Sequence, residues 1–161
     1  MNKQFLDDFY NMVKKDKKFE ILSVSFPMFL ITKELFNKTE KVTKDSYDLL
    51  NADIDVLASL YCRGGAGYTL TPTQLYGNLI LSSGGLTKVL KKLEERGLIK
   101  REFSASDKRK SLVCLTQTGI DLIKKVLQMK RLITEEFFSI LDKKDKENLK
   151  NIFSKVLYSV D

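Results

Sequence analysis

The sequence predicts a mainly α (α+β) protein in which a single β-hairpin interrupts a series of amphipathic helices. Three observations carry that prediction. Leu86, Val89, Leu90 and Leu93 recur at i, i+3, i+4 and i+7, the spacing of one apolar stripe on a helix over Ser83 to Arg96. Directly after it, Leu98 to Phe103 and Ser111 to Leu115 are β-prone runs on either side of the small, polar and charged Ser104 to Lys110. Both ends of the chain carry further stretches with helical periodicity, from Glu20 to Phe36 and from Ile120 to Leu157.

From the beginning, Phe5 to Val13 reads as a short amphipathic helix ended by the charged Lys14 to Lys18 run. Glu20 to Phe36 reads as a second apolar segment in which Pro27 either sits in the first turn of a helix capped by Ser25, the preferred reading, or kinks a longer helix. Its apolar content exceeds what one stripe requires, so burial on more than one side is expected, from a partner chain. Lys38 to Asp48 is polar and loop-like, with continuation of the second helix into it as the alternative. Asn51 is placed as the N-cap of a scaffold helix with Ile54, Leu57, Ala58 and Tyr61 inward, stopped by Gly64 and Gly65.

Thr71, Pro72 and Gln74 then announce a short helix, since Thr can cap, Pro suits the first position and Gln can close a capping box. That helix is expected to end near Ile80, with Leu75 and Leu79 inward, and Leu81, Ser82 and Ser83 leave only a tight turn before the next. Gly97 can take the left-handed position that stops the second helix, with Leu98 making the apolar contact of a Schellman motif. Past the hairpin, Thr116 caps a long helix to about Leu141, and Asp142 with Asp145 opens a final one carrying Leu149, Ile152, Phe153, Val156 and Leu157.

Helix, tight turn, helix and hairpin together form a winged helix-turn-helix. The second helix turns Thr87, Lys88, Lys91, Lys92 and Glu95 away from its apolar stripe. Small polar and cationic side chains on such a face suit a DNA major groove. The hairpin tip gathers Lys108, Arg109 and Lys110 with one acid, Asp107, and can lie along phosphates or enter the minor groove. Either feature alone is more often a solvated surface; their adjacency favours DNA contact.

These residues resemble the MarR family of transcriptional regulators. The matching stretches are LTPTQL for the supporting helix, SSGGLTKVLKKLEERGLIKR for the recognition helix and first wing strand, DKR at the wing, and VCLTQTG at the second strand and its exit. NADIDVLASLYCRGG resembles the preceding helix of the family, so the match covers roughly residues 50 to 120. Each motif is weak alone, and the ordered set is specific. The resemblance implies a third short strand at Tyr68 to Leu70, base-facing roles for Thr87 and Lys88, and a wing-tip Arg109 oriented by Asp107. With these, Ser83, Lys91, Lys92, Lys108 and Lys110 complete the expected DNA-binding set. It further implies a small, often aromatic effector held between the dimer helices and the winged domain, for which Phe26, Phe29, Phe36 and Tyr61 are candidate lining residues. Two departures stand out. Lys88 occupies a position commonly Arg in the family and cannot make the two-pronged contact of Arg to guanine. Gly119 stands where a capping box would place Glu.

Composition narrows the alternatives. The 161 residues suit one domain with helical extensions and leave no room for a separate catalytic domain. A net charge of +7 suits a polyanionic partner. There is no His to complete a zinc site or a Cys-His pair, and Cys62 and Cys114 fall in separate elements as packing residues. GGAG lacks the lysine and the strand-to-helix setting of a phosphate loop, so neither an enzyme nor a cofactor or metal is expected. The apolar runs are too interrupted to span a membrane, and the first residues lack a secretory pattern, so the cytoplasm is expected.

The sequence-based expectation is therefore a ligand-responsive homodimeric repressor that binds double-stranded DNA at an inverted repeat. Residues 1–48 and 119–161 supply dimerisation helices, and residues 49–118 form the DNA-binding domain. The competing class is a winged-helix module that docks proteins without binding DNA. A cationic rather than apolar or acidic exposed face discriminates against it.

Overall fold

The computed structural model describes residues 3–77, 83–103 and 111–160 of the chain. Seven α-helices and a three-stranded sheet account for these residues: α1 (Lys3–Lys15), α2 (Leu22–Tyr47), α3 (Asn51–Arg63), β1 (Thr69–Leu70), α4 (Pro72–Tyr76), α5 (Ser83–Glu95), β2 (Ile99–Phe103), β3 (Ser111–Leu115), α6 (Gln117–Phe137) and α7 (Lys143–Leu157). Short 3₁₀ turns at Lys17–Phe19 and Gly65–Gly67 join α1 to α2 and α3 to β1. The sheet is antiparallel in the order β1-β3-β2, with Thr69 opposite Cys114 and Ile99 opposite Leu115.

The core lies where α3, α5, the sheet and the first half of α6 converge. Leu57, Leu60, Leu75, Leu93, Val113, Ile123 and Val126 are fully buried there. A buried aliphatic side chain contributes about 1.5 to 3 kcal/mol, so this cluster dominates the stability of the winged portion. The stripe read from the sequence is the one α5 buries, with Leu86 and Leu90 inside and Val89 packed at the margin.

Four boundaries depart from expectation. The α2 helix begins at Leu22 and runs without a break to Tyr47, so Pro27 lies inside it and Ser25 caps nothing. It continues through Lys38 to Tyr47, the alternative the sequence left open, with Asp48 as its C-cap. The reason is that Thr39 and Thr43 are buried, with their hydroxyls returned to the helix by bonds to the Leu35 carbonyl (2.7 Å) and the Glu40 carbonyl (3.1 Å). A polar-looking stretch thereby supplies a buried face.

The N-cap of α3 is Leu50, not Asn51. Asp53 accepts the Leu50 backbone N–H at 2.8 Å, while the Asn51 N–H donates to Glu40 Oε2 at 2.9 Å and its side chain turns toward the Phe36 carbonyl. Asn51 is consumed by packing of α2 on α3. The α6 helix stops at Phe137, before Leu141, because a turn closed by the Leu141 N–H on the Phe138 carbonyl (3.1 Å) brings α7 back. The α4 helix is regular only to Tyr76, and the expected continuation to Ile80, with Leu79 and the turn at Leu81 and Ser82, lies outside the described residues.

Candidate nucleic-acid interface

Local chemistry sets α4 and α5 in place. Thr71 Oγ1 accepts the Gln74 N–H at 3.2 Å and Gln74 Oε1 accepts the Thr71 N–H at 2.9 Å, so the capping box closes on both sides. The end of α5 is a full Schellman motif: Gly97 has φ +65°, its N–H meets the Glu94 carbonyl at 2.9 Å, and the Leu98 N–H meets the Leu93 carbonyl at 3.0 Å. Leu98 drops into the core, which forces the chain directly into β2.

With its apolar stripe down, α5 exposes Thr87, Lys88 and Lys91. Lys91 reaches Glu95 at 3.8 Å, a solvent-exposed pair that binds it only weakly. Lys92 does not join this face. Its Nζ lies 2.7 Å from Oδ2 of Asp53, whose side chain is 3% exposed, and 3.4 Å from the Asp48 carbonyl. A buried carboxylate needs a partner, and Lys92 is turned inward to supply it.

Several residues central to this region were not singled out by sequence reasoning. Arg96 sets Nη1 on the Asp48 carbonyl and Nη2 on the Tyr47 carbonyl, both at 2.8 Å, bridging the end of α5 to the end of α2. Arg101 of β2 pairs with Glu94 of α5 at 3.1 Å, tying the wing strand to the helix. The one local signal for Arg96 was its place just after the last turn of a helix. That suits a helix dipole and says nothing of partners more than thirty residues away.

On β2, Lys100 and Glu102 project from one face and pair at 2.5 Å. The Lys100 hydrogen bond and charge hold the Glu102 carboxyl below the usual carboxylate range, and Glu102 in turn raises the Lys100 ammonium. This part of the wing is locally neutralised. The tip residues Asp107, Lys108, Arg109 and Lys110, and the Ser83 side chain, lie outside the described residues.

A second feature lies away from this face. A cleft of about 430 Å³ opens between α2, α6 and α7, walled mainly by apolar side chains such as Leu35, Phe36, Phe138 and Phe153, with Asn51, Lys130 and three threonines among its polar lining. Of the four aromatic residues expected to line an effector site, only Phe36 borders it. Phe26 packs on Phe9 of α1 with ring centroids 4.4 Å apart, Phe29 faces outward from α2, and Tyr61 stacks on Tyr68 at 5.4 Å with the rings within 2° of parallel. Helical periodicity identified apolar positions but not which neighbour would cover each. Cys114 is buried in β3 with its Sγ 3.2 Å from the Thr69 hydroxyl, Cys62 is exposed on α3, and both thiols are free. Among the described residues no His, Cys, Asp or Glu cluster could hold a metal, and no helix is long and apolar enough to cross a membrane.

A capped helix pair with a cationic exposed face, followed by a β-hairpin and flanked by long helices, defines a MarR-type winged-helix DNA-binding regulator. Comparison with known proteins agrees. Residues 38–126 match the family model described as transcriptional regulator SarA/Rot. The regulator SarZ of Staphylococcus saprophyticus is 29% identical over 146 residues, covering 89% of this chain and 96% of SarZ. PecS of Dickeya dadantii is 29% identical over 110 residues, covering 68% of this chain and 66% of PecS. Among solved structures, a mutant of E. coli MarR complexed with operator DNA superposes with a TM-score of 0.71 at 25% identity, covering 86% of this chain and 96% of that one. The chain belongs to the SarA/Rot family of transcriptional regulators, and it is not an enzyme.

Proposed function

We propose that this regulator acts in the cytoplasm as a homodimeric repressor that reads an inverted-repeat operator with two copies of α5 in successive major grooves. Thr87 and Lys88 face the bases, and Ser83 and Lys91 lie toward the backbone. In the wing, Lys108 and Lys110 lie along phosphates while Arg109, oriented by Asp107, enters the minor groove. The observation that carries this reading is that α5 buries its apolar stripe and leaves Thr87, Lys88 and Lys91 exposed beside the hairpin. Lys92, committed to Asp53, is not assigned a DNA contact.

The dimer is inferred from α1, α2 and α7. No residue of α7 is buried, and Ile152, Val156 and Leu157 stand exposed along one stripe that a second copy would cover. A small aromatic effector is assigned to the cleft at Phe36, Phe138 and Phe153, whose mostly apolar wall and single ammonium, Lys130, suit such a ligand. Its binding would shift operator affinity only in so far as it favours one dimer shape over the other.

Selecting bound fragments from random duplex DNA tests the reading. A two-fold symmetric consensus with half-sites about one helical turn apart is the expected outcome. Recovery of unrelated fragments with no shared element would overturn sequence-specific reading.

A further inference from the structure

The two cations at the end of α5 that face away from the exposed groove-binding side meet the end of α2 instead. We propose that Arg96 and Lys92 are positioning residues for operator binding: they index the recognition helix to the C-terminus of α2, so that selective DNA binding depends on them although neither touches DNA. This rests on the reading of α5 as the recognition helix.

The geometry of the joint is specific. The 26-residue α2 ends with Asp48 in the left-handed conformation (φ 52°), where the Asp48 N–H returns to the Lys44 carbonyl and the Leu49 N–H to the Thr43 carbonyl. The carbonyls of Tyr47, the last helical residue, and of Asp48, the C-cap, lie at the negative end of the helix dipole. Arg96 reaches both at 2.8 Å with its two terminal nitrogens, a planar fork on adjacent acceptors that an ammonium cannot reproduce. Lys92, one turn earlier, adds a contact to the same Asp48 carbonyl at 3.4 Å and bonds Asp53 Oδ2 at 2.7 Å. That same carboxylate oxygen accepts the Leu50 N–H at the start of α3. Three helices, α2, α3 and α5, therefore meet through charge-assisted bonds at one point.

Such bonds do what the core beneath α5 cannot. Leu86, Leu90 and Leu93 hold the helix down by apolar contact, which is non-directional and tolerates rotation or sliding of the helix on its bed. Directional bonds at its last turn fix rotation and register. A helix that must present Thr87 and Lys88 to base edges is sensitive to both.

The test uses full-length protein, the operator duplex recovered by selection and a scrambled duplex, titrated by fluorescence anisotropy over a series of salt concentrations. Arg96→Ala is expected to lower operator affinity roughly tenfold, the size typical of a residue that modulates a site without touching the ligand. Scrambled-duplex affinity and the slope of log affinity against log salt should stay as in wild type. A slope shallower by about one unit per subunit on both duplexes would make Arg96 a phosphate contact and overturn the proposal. Unchanged operator affinity would leave it a stabilising contact only and overturn it equally.

Arg96→Lys, which keeps the charge and loses the fork, should fall between wild type and Arg96→Ala; it decides the matter alone should circular dichroism show Arg96→Ala unfolded, full operator affinity then counting against the proposal. Lys88→Ala, measured in parallel, separates the two levels of inference. If it reduces discrimination between the duplexes while Arg96→Ala does not, only the positioning role fails. If Lys88→Ala leaves discrimination intact, the reading of α5 fails and the positioning role with it.

Discussion

Asp48 occupies one of two non-glycine positions with positive φ among the described residues, and it is ringed by cations. A hydrogen bond from Lys44, then the Lys44 charge, and then those of Lys92 and Arg96 hold its carboxyl below the usual carboxylate range. Because the folded value is depressed, the interaction stabilises the protein fully above the unfolded carboxylate value of about 3.9. It is lost as pH falls through the lower folded value. Carboxyl carbon shifts followed by NMR should therefore show Asp48 titrating later on acidification than an unstructured aspartate. The acid limb of stability should flatten in Asp48→Asn. A midpoint at or above the ordinary value would show that Lys44 does not engage it in solution. None of this was visible in the sequence beyond Lys44 and Asp48 standing four residues apart, since Lys92 and Arg96 arrive from another helix.

At the scale of elements, the end of α5 and the start of α6 interlock. Thr116 caps α6 by accepting the Gly119 N–H at 3.1 Å, and its hydroxyl also reaches the Gly97 carbonyl at 2.7 Å. Gly119 then passes the Schellman turn so closely that an added Cβ would stand 2.0 Å from the Leu98 carbonyl oxygen. This explains the missing acidic half of the capping box, because no side chain fits there. Helix propensity alone predicts that Gly119→Ala stabilises by about 1 kcal/mol. The close approach reverses the sign, and urea unfolding should show a loss of roughly 1 to 3 kcal/mol, the usual cost of overpacking. A stabilised variant would mean the two helices separate more readily than the structure shows. Elements with a strong local code, the Thr71 box, the Gly97 stop and the Asp142 cap, were legible in advance. The continuity of α2 was open in the sequence but not decided by it, because Thr39 and Thr43 read as a loop until their buried neighbours are known.

For the whole molecule, the question is what covers α7. Leu149 and Phe153 wall the cleft, but Ile140, Ile152, Val156, Leu157 and Val160 remain exposed, the kind of apolar surface that marks an interaction face. The proposed dimer accounts for this surface. Sedimentation of the full chain at micromolar concentration should give a dimer, while a variant ending at Leu141 should be monomeric or aggregated and bind DNA poorly. A well-folded monomer of the full chain under those conditions would remove the dimer and, with it, the two-fold operator.

Much of this protein is written locally. Period, caps and glycine stops determined the order of the helices, the wing, the inward face of α5 and the family resemblance, because each depends on residues within a turn or two of one another. The candidate site was legible to the same extent: Thr87, Lys88 and Lys91 follow from which face of α5 is apolar. Tertiary structure alone decided that Lys92 leaves that face for Asp53, that Arg96 clasps the end of α2, and that Phe36 borders the cleft while Phe26 packs on Phe9. In each case the side chain has several chemically acceptable partners, and the choice among them is made by which groups folding brings within about 3 to 4 Å across tens of residues of chain.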